Sequence, residues 1–481
     1  MLKHNKWKIT VTSLVLPLLV MQGCKVMEAP PAQTLTVPPV FAATATDTMS
    51  MGKLARTLFF NDEVLRSLID TAIRNNPDLM IAVERVHIAQ AYYKIQKGAL
   101  YPSLSIGASA GVEKYGDYTL NGVGNYDTNL SPNISKDQRI PDPTPEFMIG
   151  LRSAWELDVW GKLRNKRRAA YRRMLATEKG RQAVVTALTA QVATQYYSLL
   201  ALDNELHILQ KNIVLQENAT ELVRVLTEGG RATTLAVQQF EAQLLNTQAA
   251  IQKVKRGLIT GQNGLNVLLG RFPGPVTRGA GLMEQKLPEA VQAGMPADWL
   301  HHRPDVAEAA LQLEAAGFDM KSARAAFYPS VTINPFLGLN AFKGNLLFSA
   351  ASVAYGVVGG LSAPLFQQNQ VRGAYKISIA EREQAFQLYR KTVLQGFAEV
   401  QGGMENLALI EQQFTLKAQE VSVLQEAVKT SGDLFLAGYA SYLEVITAQR
   451  NVLEAELALT QTQQERLHTL VELYRSLGGG W

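Results

Sequence analysis

The chain has 481 residues, 47% hydrophobic and 19% charged, with a formal net charge of +5. That balance is globular and excludes wholesale disorder or a collagen-like fibre. Residues 1–23 hold three lysines and no acid, so the remainder carries only +2 and argues for no nucleic-acid partner, while a single cysteine excludes a disulfide framework, a multi-cysteine zinc site and a protein-encoded iron–sulfur cluster.

The N-terminus has the form of an export signal. Lys3, Lys6 and Lys8 precede an apolar run from Ile9 to Val20, too short for a comfortable transmembrane helix. The run ends at Met21-Gln22-Gly23-Cys24. A small residue before the only cysteine resembles a bacterial lipobox, in which that cysteine is lipidated and becomes the first residue. Met21 and Gln22 depart from the usual residues there, and an ordinary signal peptide with an incidental cysteine is the alternative. Several acyl chains on Cys24 would suffice for stable anchoring. Residues 25–50, with Pro30, Pro31, Pro38 and Pro39 and little charge, read as a tether. Beyond residue 23 no run of 18 apolar, uncharged residues occurs, which excludes spanning helices but not a β-barrel.

The rest is an internal duplication. Asn76-Pro77-Asp78-Leu79 matches Arg303-Pro304-Asp305-Val306, and Tyr101-Pro102-Ser103 matches Tyr328-Pro329-Ser330, with 25 residues between the prolines in each half. The stretch from Glu228 to Val237 aligns with Leu436 to Val445, pairing Gly230 with Gly438 at an offset of 208 that Arg164 and Arg372 share. The front of each half is offset by 227, so 19 extra residues lie between Pro102 and Arg164. Collinear blocks with matched spacing mark a true repeat.

Each half predicts a short helix, two strands, a long helix, a turn and a returning helix. The short helices are expected over 77–99 and 304–326, each opened by a proline suited to a first helical turn. Period-two alternation follows at Leu104, Ile106, Ala108, Ala110 and Val112, and at Phe147, Ile149, Leu151, Trp155 and Leu157. The second half repeats it at Val331, Ile333, Leu337 and Leu339, then at Val353, Tyr355, Val357 and Leu361. Each strand is long enough to cross a bilayer when tilted. The stretch from Tyr115 to Pro145 has no periodicity and is expected to be a long exposed loop, with Gly122-Val123-Gly124 inside it; its counterpart near Lys343 to Ser349 is short. Residues 162–228 and 371–437 lack proline, so each can form one helix roughly 100 Å long, which needs a coiled-coil or barrel partner. Returning helices are expected over 232–269 and 441–477.

No catalytic constellation stands out. The histidines His4, His87, His207, His301, His302 and His468 show no His-Glu-x-x-His spacing, Gly161-Lys162 lacks the phosphate-loop context, and no Gly-x-Ser-x-Gly elbow exists. No metal site, no cofactor and no enzyme activity are therefore expected. A basic cluster at Lys162, Arg164, Lys166, Arg167, Arg168, Arg172 and Arg173 reads as a solvated helix start, a surface for anionic headgroups or a nucleic-acid patch. Trp155 and Trp160 suit an interfacial aromatic belt or packing where strand meets helix.

Taken together, Asn76-Pro77-Asp78-Leu79, the two Tyr-Pro-Ser blocks, Trp155-Glu156-Leu157-Asp158-Val159-Trp160-Gly161-Lys162-Leu163-Arg164 and Gly438-Tyr439-Ala440-Ser441-Tyr442-Leu443-Glu444-Val445 with Ala448-Gln449-Arg450 resemble the TolC-type outer-membrane efflux proteins. The resemblance is to the lipoprotein branch that partners resistance-nodulation-division (RND) pumps. It implies an α+β membrane protein and a homotrimer, each protomer giving four strands to a shared 12-stranded outer-membrane barrel continued by a periplasmic α-helical barrel. Edge physics agrees, because four strands cannot close alone in lipid. The implied function is the exit duct of a tripartite efflux system for drugs or other small solutes, with a periplasmic adaptor and an inner-membrane RND pump as partners, and no nucleic acid. A duct for type I protein secretion and a non-channel coiled-coil envelope lipoprotein are the alternatives.

The resemblance also assigns the site. The turns at Gly229, Gly230, Arg231 and Thr233, and at Gly438 and Tyr439, become periplasmic tips and adaptor-docking sites. Glu444, Thr447 and Phe435 become the aperture, with Glu444 as a carboxylate ring in three copies; the plain alternative is a solvated Glu444 paired with Arg450 or another cation. Trp155, Trp160, Arg164, Arg167 and Arg168 are the membrane-interface candidates, facing outer-membrane lipid. The expected organisation is a signal peptide over 1–23, a tether and N-terminal periplasmic segment over 24–60, repeats over 61–270 and 301–477, an equatorial linker over 271–300 and a tail over 478–481.

Overall fold

The computed structural model describes residues 56–285 and 302–481, with Pro31 and Leu35 apart from them. The signal peptide, Cys24, nearly all of the tether and residues 286–301 of the expected linker lie outside the described residues.

In the first repeat α1 (Arg56–Phe59), α2 (Glu63–Asn75) and α3 (Pro77–Gly98) lead to strand β1 (Ser103–Glu113), helix α4 (Leu120–Leu130) and strand β2 (Thr144–Leu157). Helices α5 (Lys162–Glu228) and α6 (Thr234–Leu268) complete it. The second repeat runs α7 (Pro304–Ala325), β3 (Ser330–Ala341), β4 (Val353–Ser362), α8 (Gln370–Ala437) and α9 (Tyr442–Ser476). The duplication is visible in the lengths: 22 residues for α3 and α7, 67 and 68 for α5 and α8, and 35 for α6 and α9. The returning helices begin slightly later than the periodicity suggests, because Thr233 and Ser441 stand at their N-cap positions.

Two elements depart from the sequence reading. Helix α2 was not anticipated; Asp62 caps it, its carboxylate accepting from Val64 N at 2.8 Å and Leu65 N at 3.2 Å, and Leu65, Leu68, Ile69 and Ala72 are buried. The expected loop from Tyr115 to Pro145 contains α4, so Gly122-Val123-Gly124 is helical. Thr119 Oγ1 caps α4 by accepting from Gly122 N at 3.1 Å. Asn125 and Asn129 tie the helix to residues 140–144. These ties are tertiary and leave no periodic trace.

The chain divides into two compact units. The first (89–174 and 312–385) contains one antiparallel sheet ordered β1-β2-β3-β4. Register aligns Ile106, Leu151, Leu337 and Tyr355 across one face, and Ser105, Arg152, Phe336 and Gly356 across the other. The apolar face is bare in the single chain: Ile106, Tyr355 and Leu361 are each more than 70% exposed. The β2–β3 ladder lapses opposite Pro335, which has no N–H to donate, and resumes at Trp155 and Ile333.

The second unit (33–88, 175–311 and 386–481) holds the main core. Phe59 stacks on Tyr474 at 3.9 Å, and Phe60, Leu65, Ile69, Tyr196, Leu199 and Leu265 are almost wholly buried beside them. Tyr196 Oη donates to Asp62 at 2.7 Å and accepts from Gly279 N at 2.8 Å, which clips the segment after α6 to the cap of α2. Two smaller apolar clusters follow along α5, one around Leu209, Ile251, Val254 and Leu453, the other around Val223, Ala236, Phe240 and Val445.

Candidate functional site

Two helical hairpins end in turns of one design. At the end of α5, Gly230 N donates to Thr227 O (3.0 Å) and Arg231 N to Leu226 O (2.8 Å). At the end of α8, Gly438 N donates to Phe435 O (3.1 Å) and Tyr439 N to Leu434 O (2.9 Å). This is the Schellman pattern, which satisfies otherwise orphaned carbonyls and requires a left-handed residue. Gly230 and Gly438 supply it, with φ of +69° and +80°. Gly229 precedes the left-handed position and is exposed.

The two turns then diverge. Thr233 accepts from Ala236 N at 3.2 Å and caps α6 with its own hydroxyl. At the equivalent place in the second repeat, Glu444 Oε2 accepts from Ser441 N at 2.5 Å. Glu444 therefore caps its own helix, the carboxylate half of a capping box, and it also favours the helix N-terminus electrostatically. Arg450 pairs instead with Glu454, at 3.8 Å. Below the turns Val223, Ala236, Phe240 and Val445 are buried, with Phe435, Tyr442 and Ile446 half-buried against them. Phe435 is thus part of the packing beneath the turn. Thr447 is half-buried, while Arg231, Thr233, Tyr439 and Glu444 are exposed. The capping partner Ser441 and the small core under the tip escaped the sequence reading. The Ser-x-x-Glu spacing was the signal for the first; a shared core across two repeats leaves none.

The membrane-interface candidates gather where strand meets helix in the first unit. Trp155 Nε1 donates to Leu100 O at 3.1 Å. Trp160 Nε1 donates to Pro329 O at 2.7 Å, and its ring stacks on Tyr328 at 4.9 Å. Both indoles thus keep their polar edge satisfied while each remains at least a third exposed. Asp158 caps α5, accepting from Leu163 N at 2.9 Å and Arg164 N at 2.8 Å, and it also pairs with the Arg164 side chain at 3.0 Å. Much of the basic cluster is neutralised within the chain: Lys162 by Glu156, Arg172 by Glu314 and Arg173 by Asp319. Arg168 lies over Phe318 at 5.9 Å, and Arg167 is half-buried. Leu365 and Phe366, between β4 and α8, are 78% and 87% exposed and were not singled out from sequence.

A scan against family models matches the outer membrane efflux protein family over residues 68–271 and 295–479. The chain belongs to that family. Among curated relatives it is similar to the solvent efflux pump outer membrane protein SrpC of Pseudomonas putida, 28% identical over 424 residues covering 88% of this chain and 87% of the relative. It is also 27% identical over 427 residues to the probable outer membrane lipoprotein SilC of Salmonella typhimurium, with the same coverage. Among solved structures it resembles CusC, with a TM-score of 0.80 and 26% identity over 94% of this chain and 99% of that one. The protein is accordingly an outer-membrane exit duct for efflux, and its duplicated long helices with a four-stranded sheet have the TolC-type channel fold. No helix among the described residues is long and apolar enough to cross a membrane.

Proposed function

We propose that this chain is the outer-membrane channel of a tripartite RND-type efflux system, assembled as a homotrimer and expelling drugs or other small solutes. The observation that carries this reading is the sheet, whose apolar face is largely bare and whose β1 and β4 edges have no partner among the described residues. In lipid such edges must be paired, and three copies would supply 12 strands, an even number in the range of bacterial barrels. A periplasmic adaptor and an inner-membrane pump are the partners. A passive duct of this kind needs no catalytic group, so the protein is not an enzyme, and substrate choice rests with the pump.

Glu444, Thr447 and Phe435 belong to the periplasmic aperture in this reading, Glu444 as a ring of three carboxylates. Gly229, Gly230, Arg231, Thr233, Gly438 and Tyr439 form the tips on which the adaptor docks. Trp155 and Trp160 mark the periplasmic boundary of the outer membrane, with Arg164, Arg167 and Arg168 near the headgroups. Cys24 carries the lipid anchor, in keeping with the relative named as a lipoprotein. In this reading the chain divides into a signal peptide over 1–23, a tether and N-terminal periplasmic segment over 24–60, repeats over 61–270 and 301–477, an equatorial linker over 271–300 and a tail over 478–481.

Native mass spectrometry of the detergent-solubilised protein should give three protomer masses, and intact-mass analysis should show a mature chain starting at an acylated Cys24. A folded monomer would overturn the channel assembly. In cells, deleting the gene should raise accumulation of a fluorescent pump substrate such as ethidium. Wild type should reverse that effect, whereas accumulation unchanged by the deletion would refute the efflux role.

A further inference from the structure

The β1–β2 connection carries an apolar stripe that its own chain leaves bare. Leu120, Val123, Tyr126 and Leu130 follow one flank of α4 at spacings of three and four, and all four are more than half exposed. The other side of the helix holds it down. Asn125 Nδ2 donates to Thr144 Oγ1 at 3.4 Å, and Asn129 exchanges two 2.8 Å hydrogen bonds with the backbone of Ile140. Gly122 lies so close to the Gly116 backbone that a Cβ would overlap it. The return segment leading into β2 is also gripped from elsewhere, since Lys343 Nζ, in the β3–β4 connection, donates to Lys136 O at 2.8 Å. In the order β1-β2-β3-β4 the β3–β4 connection meets that segment from the β3 side, and α4 follows in the chain directly from β1 on the other side.

That side is the edge of the sheet. Strand directions alternate, so β1 of one copy can pair antiparallel only with an edge such as β4 of another. Such pairing sets β1 about 5 Å from β4 of the next copy and brings α4, which follows β1, beside that copy's β3–β4 connection. That connection presents Phe348, 78% exposed. We propose that the α4 stripe docks on the β3–β4 connection of a second copy, around Phe348, and clamps the seam between copies at the outer mouth of the barrel. The clamp rests on the trimeric reading above. It assigns the 19 residues by which the first repeat exceeds the second to a second task, holding neighbouring copies together beyond the strand ladder.

Disulfide trapping tests it. Val123→Cys is combined with Phe348→Cys, and Asn121→Cys with Phe348→Cys serves as the comparison, because Asn121 lies on the polar flank of the same helix. Single variants report any reaction with Cys24. The sample is first confirmed as a trimer by native mass spectrometry and then oxidised with copper–phenanthroline. The Val123 pair should give dithiothreitol-reversible covalent dimers and trimers on a non-reducing gel, at least fivefold more than the Asn121 pair. A confirmed trimer in which both pairs react equally, or neither reacts, overturns the clamp and leaves lipid or lipopolysaccharide covering the stripe. A monomer in the mass spectrum overturns the trimeric reading instead.

Discussion

Arg303 and Asn76 perform one task in the two repeats with different chemistry. Asn76 Nδ2 donates to Leu268 O at the end of α6 (2.9 Å), and Arg303 Nη1 donates to Ser476 O at the end of α9 (3.1 Å). Each residue stands just before the proline that opens a short helix. Asn76 completes its bonding locally, its Oδ1 accepting from Leu79 N at 3.0 Å. Arg303 brings a charge to a site only 4% exposed and draws in two carboxylates: Asp305 at 2.9 and 2.6 Å, and Glu399 at 2.8 Å. Arg475 reaches the same Glu399 oxygen at 3.3 Å. A buried guanidinium is tolerable only when paired in this way.

Removing that guanidinium should therefore cost more than removing the amide. Arg303→Met leaves Asp305 and Glu399 without their shared partner. Both carboxylates are 38% exposed, so water screens part of the loss, and about 2–3 kcal/mol is expected rather than the full cost of breaking a buried pair. Asn76→Ala should cost about 1 kcal/mol, one cap and one hydrogen bond. Thermal melting followed by circular dichroism in detergent ranks the two. Equal melting temperatures would mean that the ion network adds nothing.

The same cluster sets a pH dependence. Burial pushes the Asp305 carboxyl up, but the hydrogen bonds and charge of Arg303 outweigh it and hold the group below its ordinary value of 3.8. A folded value below the unfolded one contributes stability that is present above about pH 4 and lost as pH falls through the folded value. Glu308 has the opposite sign. Burial first, and the charge of Asp305 second, push it above its ordinary 4.5, so its ionised form destabilises the fold at neutral pH. Glu308→Gln should raise the melting temperature at pH 7 and make no difference below about pH 4. Asp305→Asn should lower it at pH 7 and likewise converge on wild type in acid. A Glu308→Gln offset that persists below about pH 4, or an Asp305→Asn offset that does not shrink as pH falls further, would contradict this assignment.

The parts legible in the sequence were those with local punctuation. Proline at 77, 102, 304 and 329 brackets the short helices, glycine at 230 and 438 ends the long ones, and period two marks all four strands. Long-range contacts wrote less. Helix α4 depends on Asn125 and Asn129 reaching residues 140–144, and the short apolar spacing at Leu120, Val123, Tyr126 and Leu130 lies among so many Gly and Asn residues that the stretch reads as a loop. The site was legible as a location, because two Gly-containing turns at one offset of 208 can only be equivalent tips. Its chemistry was less so. In sequence Glu444 reads as a ring carboxylate or a partner of Arg450; the structure adds that its carboxylate accepts from the Ser441 backbone and that Phe435 packs beneath the turn.

A polar layer interrupts the packing above the tips. Asn212, Gln216, Thr220 and Thr247 are each no more than 5% exposed. Both side-chain polar atoms of Gln216 meet no hydrogen-bond partner among the described residues. Such burial costs about 1–3 kcal/mol, and its repeat counterpart is the apolar Leu424. Gln216→Leu should stabilise the hairpin by roughly 1–2 kcal/mol on the same principle. Melting temperature and protection of α5 amides in hydrogen exchange should both rise. An unchanged or lowered stability would show that Gln216 is satisfied in the assembled protein.

Glu444 can be asked two questions with two substitutions. As a cap it needs only an acceptor, and glutamine provides one; as one of three ring carboxylates it needs charge. Ala236 occupies the equivalent position in the first repeat, so the acid belongs to one of the two kinds of tip alone. If those tips line the constriction, wild-type channels in planar bilayers should conduct poorly and favour cations. Glu444→Gln should keep the hairpin folded and its conductance low while losing much of the cation preference. Glu444→Lys removes the cap acceptor and sets three positive charges together. It should raise conductance and reverse the preference, because like charges push the tips apart and repel cations. The reversal potential across a salt gradient reads the charge, and single-channel conductance reads the width. If Glu444→Gln matches wild type in both, Glu444 serves only to cap α9 and the constriction lies elsewhere along the helices.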